Sequence, residues 1–330
     1  MPEQIAASAT GVRGQGVSDT PEPSSRYSVF FGDVAQDEYY RATHFPVAGD
    51  KIIVEALEPQ FGGMVANAAA IFAHYDMPAS FVSQLNSGPL THKLLGQLRE
   101  QGLNTDHVIF DDDVPDSHCI VLLSGDQHIV VIPALGITRT ELSPELFRLL
   151  AGAEFVVTTL TDARPFRMGE LTAGNVLAAL REHGVKIVMD LDVYNLENHP
   201  SGLIEYCDIL FMNSRGFKRF VDSGNNIADI LRSGATAVIV TKDSEGCDLY
   251  TAEGLTSIPG YRVDVVDVTG AGDTFSSSFL YAYSTTGDLS DAAEFANAAA
   301  ALSVGIVGAR GGMTTAATVR AFMARTPPRF

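Results

Sequence analysis

Basic residues are scarce in this chain of 330 residues. Lys and Arg number 22 against 40 Asp and Glu, a formal net charge of −18. That balance excludes nucleic acid and anionic membranes as partners, since both need a basic footprint. It does not oppose a phosphorylated ligand, because backbone amides can hold phosphate inside an acidic protein. Cysteine is nearly absent. Cys119, Cys207 and Cys247 are odd in number and lack C-x-x-C spacing, so no disulfide framework is expected and a reduced, cytoplasmic setting fits. No His/Cys cluster has zinc spacing, and no residue is assigned as a metal ligand. No stretch approaches the roughly 18 apolar residues of a membrane span. Residues 1–25 are rich in Ser, Thr, Pro, Gly and Gln, lack the apolar run of a signal peptide, and read as a disordered tail. Neither an internal repeat nor an interdomain linker is visible.

Hydrophobic residues make up 46 % of the chain, enough for the core of one large α/β domain. Its most informative stretch is Val265-Val266-Asp267-Val268-Thr269-Gly270-Ala271-Gly272-Asp273-Thr274-Phe275. Tyr261–Val266 alternates and is β-branched, as a strand end would be. Thr274–Ser284 has the small and aromatic spacing of a helix on a sheet. Between them a Gly-Ala-Gly turn delivers Asp273 onto the first turn of the helix, whose free N–H groups and positive dipole end suit an anion. The turn would hold a transferring phosphoryl group while the carboxylate takes a proton from an attacking hydroxyl. A bare G-x-G-D serves equally well as a helix start, where Asp is favoured in any case. It is not a Walker A loop, and Phe275 stands where a dinucleotide fingerprint needs its third glycine.

The full run D-V-T-G-A-G-D-T-F closely resembles the C-terminal signature of the ribokinase-like (PfkB) carbohydrate kinases. The resemblance implies an α/β fold with a doubly wound, mostly parallel sheet flanked by helices, plus a small inserted β-sheet lid. It also implies an ATP-dependent kinase acting on a hydroxyl, usually primary, of a sugar or sugar derivative. Asp273 would be the base, and Gly270, Ala271 and Gly272 would form the anion hole.

The rest of the chain can be read against that likeness. Tyr27–Phe31 is the first strand candidate, and Asp33 and Asp37 follow it, where open α/β sheets bind ligands. On the residues alone Asp37 could be a solvated loop acid; the family places an Asp there on sugar hydroxyls. Phe61-Gly62-Gly63-Met64-Val65-Ala66-Asn67 has the G-G-x-x-x-N form of the N-terminal signature, so Gly62, Gly63 and Asn67 are implied to touch the acceptor. Met64 stands where ribokinase carries Lys, which argues against ribose. Asp50–Leu57 alternates, and Ser117–Leu123 and Gln127–Ile132 flank a Ser124-Gly125-Asp126 hairpin signal. These segments match the lid, with strands near 39–58 and 114–133, and the family often pairs two subunits through it. His118 and His128 on the hairpin are expected to face outward.

From about Leu135 strands and helices alternate. Strands are expected at Glu154–Leu160, Val185–Leu191, Ile209–Met212 and Ala235–Thr241; helices are expected at Ser143–Leu150, Arg167–His183 and Ile227–Ser233. Asp291-Ala292-Ala293-Glu294 has capping-box form and opens a further helix to about Val304. The likeness implies nucleotide contacts at Asn213, Thr241, Asp243, Gly246, Asn297 and Gly308. Two departures stand out. Asn213-Ser214-Arg215-Gly216 replaces the family's N-x-x-E, whose Glu organises Mg²⁺ through water, so Mg²⁺ is expected on ATP oxygens and water. Gly312 lacks the side-chain oxygen that ribokinase uses near a monovalent cation, which leaves a K⁺ requirement open.

Gly246-Cys247-Asp248 and Arg262–Asp267 are similar to the ketose kinase branch. A nucleoside kinase is the alternative, and Arg164 or Arg167 would suit an anionic sugar. The departures at Met64, Gly216 and Gly312 would also suit a sensor that has lost catalysis, although the intact Asp273 turn speaks against that. The partners expected are a small sugar, ATP and a second copy of the chain.

Overall fold

The computed structural model describes residues 27–125, 127–192 and 202–329; the expected tail and Asp126 of the hairpin turn lie outside them. The chain begins with β1 (Ser28–Phe31) and crosses directly into the strands β2 (Ala35–Arg41), β3 (Glu55–Ala56) and β4 (Gln60–Gly62). Helix α1 (Met64–His74) returns it to β5 (Ala79–Val82). Then come β6 (Gln84–Leu85), α2 (Pro89–Glu100), β7 (Ile109–Phe110), and the hairpin of β8 (His118–Ser124) and β9 (Gln127–Val131). Next are β10 (Thr140–Glu141), α3 (Pro144–Ala151), β11 (Phe155–Thr158), α4 (Leu160–Ala163), β12 (Phe166–Arg167), α5 (Ala173–Glu182) and β13 (Lys186–Asp190). The C-terminal part runs β14 (Ile209–Asn213), α6 (Ser214–Asp222), α7 (Ile227–Arg232), β15 (Ala237–Thr241), β16 (Gly246–Thr251), β17 (Gly254–Pro259), α8 (Ala271–Thr286), α9 (Leu289–Ser303) and α10 (Ala316–Arg325).

Two sheets organise these elements. The main sheet has eight strands in the order β17-β16-β15-β14-β13-β11-β1-β5. It is parallel from β5 to β15 and antiparallel at β16 and β17. Its parallel strands are largely buried on both faces, and their side chains alternate between two cores, as a pleated strand requires. Phe30, Phe155, Val157, Val188, Ile209, Phe211 and Ile239 join α1, α8 and α9 on one face. Val29, Val156, Ile187, Leu210, Val238 and Val240 join α3, α5 and α7 on the other. The chain passes from β1 to β5 on one side and later to β11 on the other, so the order reverses at β1. The carboxyl ends of β1, β11 and β13 therefore open onto the crevice where doubly wound sheets take ligands. The second sheet has five strands, in the order β3-β2-β8-β9 with β4 on β2.

Several sequence expectations need correction. Tyr261–Val266 alternates but joins no ladder: β17 already forms the sheet edge, and the N–H groups of Val266 and Asp267 donate to the Val304 carbonyl instead. In Asp50–Leu57 only Glu55–Ala56 pairs, because Ile53 is 97 % exposed and the alternation has no core to face. The strand beside it is β2, so Asp37 lies within a paired strand rather than in a loop. The start of Arg167–His183 is β12, and its helix begins only at Ala173. Asp288, not Asp291, caps α9, its side chain accepting from the Asp291 N–H at 2.8 Å.

Candidate active site

The first turn of α8 lies at the sheet's carboxyl end, and its two glycines differ in kind. Gly270 has φ 75°, and a Cβ there would meet the backbone of Ala309, so the fold itself requires glycine. Gly272 has no such reason: an added Cβ would find nothing within 4 Å. Its backbone simply borders open space at a helix start. The Ala271 N–H is held by the Val268 carbonyl at 3.2 Å and the Thr274 N–H by Gly270 at 2.8 Å, so Ala271 does not offer the free donor expected of it. Helix geometry leaves the Gly272 and Asp273 amides pointing out of the N-terminus.

Asp273 sits beside them. Its Oδ2 accepts from Asn67 Nδ2 at 2.8 Å, joining residues 206 positions apart. Asn67 is buried in α1 at 5 % exposure. Burial pushes the Asp273 carboxyl well above the usual carboxylate range, and the nearby Asp190, Asp33 and Asp192 add to this; the Asn67 bond works against it. The other face of the Asn67 amide, Oδ1, accepts from Arg310 Nε at 2.8 Å. Arg310 was not among the expected site residues.

The remaining carboxylates divide into structural and available ones. Asp33 caps α1, accepting from Met64 N–H at 3.0 Å and Val65 N–H at 2.9 Å, so it positions the signature turn rather than presenting both oxygens to a ligand. Gly63, at φ 95°, lies against Val34 and the Asp33 carbonyl. Asp37 reaches over Gly62 from β2, and a side chain at Gly62 would collide with its carboxylate. Burial and the charge of Asp33 raise Asp37 to about 6, opposed by the Cys119 thiol and Arg310. Asp162, bonded to Thr159 Oγ1 at 2.6 Å, is raised to about 7 by burial and by Asp33. Asp190 is raised to about 7 by burial; it closes an apolar pocket lined by Val65, Val157, Val188 and Phe211.

The expected nucleotide residues gather around the ends of β14, β15 and α9. Asn213 caps α6 through the Gly216 N–H at 2.8 Å and donates to Asp192 Oδ1 at 2.8 Å. Gly216 is buried where the family's Glu would stand. Ser214 Oγ ties α6 to the Thr241 carbonyl at 3.0 Å. Asp243 has φ 49° in a single 3₁₀ turn, and Gly246 at φ 104° packs against the Ile258 carbonyl. Asn297 spends its amide N–H groups on the carbonyls of Ile258 and Pro259 at 3.3 and 3.4 Å, so its donors serve the sheet edge. The Gly308 N–H donates to Asp267 Oδ2 at 2.8 Å, and Thr269 holds the other oxygen. Gly312 lies against Ser303, where a Cβ would collide with backbone, which accounts for the absence of any side-chain oxygen there. Arg167 Nη1 donates to the carbonyls of Phe166 and Arg164 at 2.6 and 3.2 Å. His128 is exposed, as expected, and with Phe45, Gln127, Ile129 and Arg215 it borders an open surface groove between the β8–β9 hairpin and the start of α6.

A glycine-led helix start with a buried carboxylate beside it lies on a ribokinase-like fold, an arrangement suited to phosphoryl transfer. Residues 25–316 match the pfkB family carbohydrate kinases, and the chain belongs to that family. It is therefore a phosphotransferase with an alcohol acceptor, using ATP. The chain is 27 % identical over 302 residues to an ATP-dependent ribose-1-phosphate kinase of Halopiger xanaduensis, covering 88 % of this chain and 96 % of that protein. It is 24 % identical over 297 residues to a ribokinase of Lactococcus lactis, covering 88 % and 94 %. The structure of Arabidopsis thaliana ribokinase complexed with ribose and ATP superposes with a TM-score of 0.76 at 25 % identity, covering 91 % of this chain and 99 % of that one. Among the described residues no helix is long and apolar enough to cross a membrane.

Proposed function

We propose that this protein transfers the γ-phosphoryl group of ATP to a primary hydroxyl of a sugar or sugar derivative held under the second sheet. The observation that carries this reading is the Asp273 carboxylate, tied through one oxygen to Asn67 and set beside the open backbone of Gly272. Its second oxygen is left for the acceptor hydroxyl. That hydroxyl oxygen attacks the γ-phosphorus, the bond from phosphorus to the ADP oxygen breaks, and the hydroxyl proton passes to Asp273. The amides of Gly272 and Asp273 stabilise charge on the phosphoryl oxygens, a donor role of ~3 kcal/mol per group in other enzymes. Asp37, Gly63 and Asn67 contact the acceptor. Asn213, Thr241, Asp243, Gly246 and Gly308 shape the nucleotide side, with Asn297 behind them.

Mg²⁺ fits as a companion of ATP rather than as a resident ion. Among the described residues no group of three His, Cys, Asp or Glu is placed to hold a metal, and Mg²⁺ favours phosphate oxygens and water. When bound it would neutralise charge on the transferring phosphate. A second copy of the chain pairs through the lid, whose edge strand β9 is exposed along its whole length.

One observation favours a narrower acceptor class. Arg215 and His128 border the same open groove, and an acceptor that already carries a phosphate or other anion would find a cation there. The discriminating experiment is ADP release from Mg-ATP across pentoses, hexoses, ketoses, sugar phosphates, sugar acids and nucleosides. Asp273→Asn should cost at least ~10²-fold in turnover while leaving ATP binding intact. A variant that keeps more than about a tenth of the wild-type rate overturns the base assignment. A preference for neutral sugars over their phosphates would overturn the anionic-acceptor reading alone.

A further inference from the structure

Asn67 joins two groups of opposite character, and chemistry fixes which way its amide points. Arg310 has only donors to offer. The Asn67 atom 2.8 Å from Arg310 Nε is therefore its oxygen, and the nitrogen must face Asp273 Oδ2, also at 2.8 Å. Arg310 is itself held. Its Nη1 donates to Gln97 Oε1 at 2.7 Å and Gln101 Oε1 at 3.1 Å, one turn apart on α2, and its Nη2 reaches the Gly62 carbonyl at 3.5 Å. The neighbours of Arg310 brace the other side of the site: Ala309 lies against Gly270, and the Gly308 N–H holds Asp267. One short loop thus touches the start of α8, the glycine pair before α1, and the amide that holds the base.

We propose that Arg310 is a positioning residue for the phosphoryl-transfer reaction: it locks the Asn67 amide so that its nitrogen holds the Asp273 carboxylate in the orientation that accepts the hydroxyl proton. This rests on Asp273 being the base. Without Arg310 the amide is free to turn, and its oxygen would face a carboxylate oxygen. Two acceptors cannot bond, so the pair would separate or Asp273 would take up a proton to serve as donor. The charges around Asp273 point the same way. Asp33 beyond β1 and Asp190 and Asp192 at the end of β13 disfavour its ionised form, while Arg310 is the cation set against them.

The test compares wild type, Arg310→Met, Arg310→Lys, Asp273→Asn and the Gln97→Ala/Gln101→Ala double variant. For each, kcat and KM are measured against pH, with circular dichroism and thermal melts to establish folding. Arg310→Met should lower kcat by about tenfold to a hundredfold, the scale of a misplaced catalytic group, with little change in KM for ATP. The acid limb of its pH profile should move to higher pH, because the base becomes harder to ionise. Arg310→Lys, which keeps a donor, should recover part of kcat. The glutamine double variant should shift the limb the same way by less, and it decides the matter if Arg310→Met does not fold. A folded Arg310→Met with a wild-type kcat and acid limb overturns the proposal, as does a loss expressed only in KM. An active Asp273→Asn would instead remove the base assignment beneath it.

Discussion

The two sheets of this molecule are specified in different ways. The inner strands of the main sheet are buried on both faces, and every residue of β1, β5 and β11 is buried. Each of their side chains has a helix to meet, so burial fixes register and position together. The second sheet is less covered: β9 is exposed along its length and β2 is mostly half-buried. Its members are held by ladder bonds and by contacts between neighbouring strands, such as Asp37 of β2 against Gly62 of β4. On the function proposed above, the main sheet would carry the reacting groups at its carboxyl edge, while the thinner one would bring residues that recognise the acceptor. A chemical step needs fixed geometry, whereas recognition tolerates, and closure requires, an element that can shift.

The sharpest way to break that division is at Gly272. If its backbone belongs to the ligand rather than to the fold, Gly272→Ala should melt within about a degree of wild type, since the new methyl meets nothing within 4 Å. Turnover should nonetheless fall by about 10²-fold, because a methyl at the anion hole displaces the phosphoryl group by roughly an ångström. Thermal melts and initial rates on one preparation decide the matter. A variant that melts normally and turns over normally would show that the helix start does not touch the phosphate.

The same division governs what the amino-acid sequence discloses. The main strands were legible because a run such as Ala237–Thr241 is β-branched and apolar, and both of its faces find a core. The Gly270–Asp273 turn was legible because glycines, carboxylate and helix follow one another directly, within a run that resembles the family signature. Tyr261–Val266 shows where the pattern misleads, since alternation reports a strand's form but not whether a neighbouring edge is free. Asp50–Leu57 misleads for a related reason: it alternates without a layer to bury against. Arg310 was invisible to local reading. It lies 243 residues from Asn67 and 213 from Gln97, inside a glycine-rich loop where a cation looks like surface. The available hint was Gln97 and Gln101, two amides one turn apart on a helix whose other face is leucine-rich.

A smaller effect separates the charged rim of the main sheet from the rest of the fold. Asp190 and Asp162 are both raised to about 7 from an ordinary value of 3.8, by burial first. Such a carboxyl binds its proton more tightly folded than unfolded. Between about pH 4 and 7 the native state therefore holds more protons, and stability falls as pH rises through that window, levelling above it. In the absence of ligand, Asp190→Asn should raise Tm by a few degrees at pH 8 and leave it unchanged near pH 4. The amide can still accept the Asp192 N–H that bonds Asp190 Oδ1 at 2.8 Å, so the change isolates the charge. A variant less stable than wild type at pH 8 would mean that the ionised form is favoured by the fold, and the burial argument would fail.

The least consequence for chemistry is expected at the outer strand of the second sheet. β9 is an edge strand, paired among the described residues with β8 alone, and it carries Val130 at 48 % and Val131 at 51 % exposure, followed by Ile132 at 72 %. An uncovered apolar edge is a template for association, and natural sheets usually blunt it with charge. Here the sequence offers valine and isoleucine instead, which is consistent with a second copy covering the strand. Val130→Lys with Ile132→Lys should then convert a dimer to a monomer in sedimentation measurements. Main-sheet stability should be untouched, because neither residue contributes to either buried core. Any loss of rate should be confined to KM for the acceptor. A wild-type protein already monomeric, or a dimer that survives both charges, would move the contact away from β9 and leave that edge to the acceptor alone.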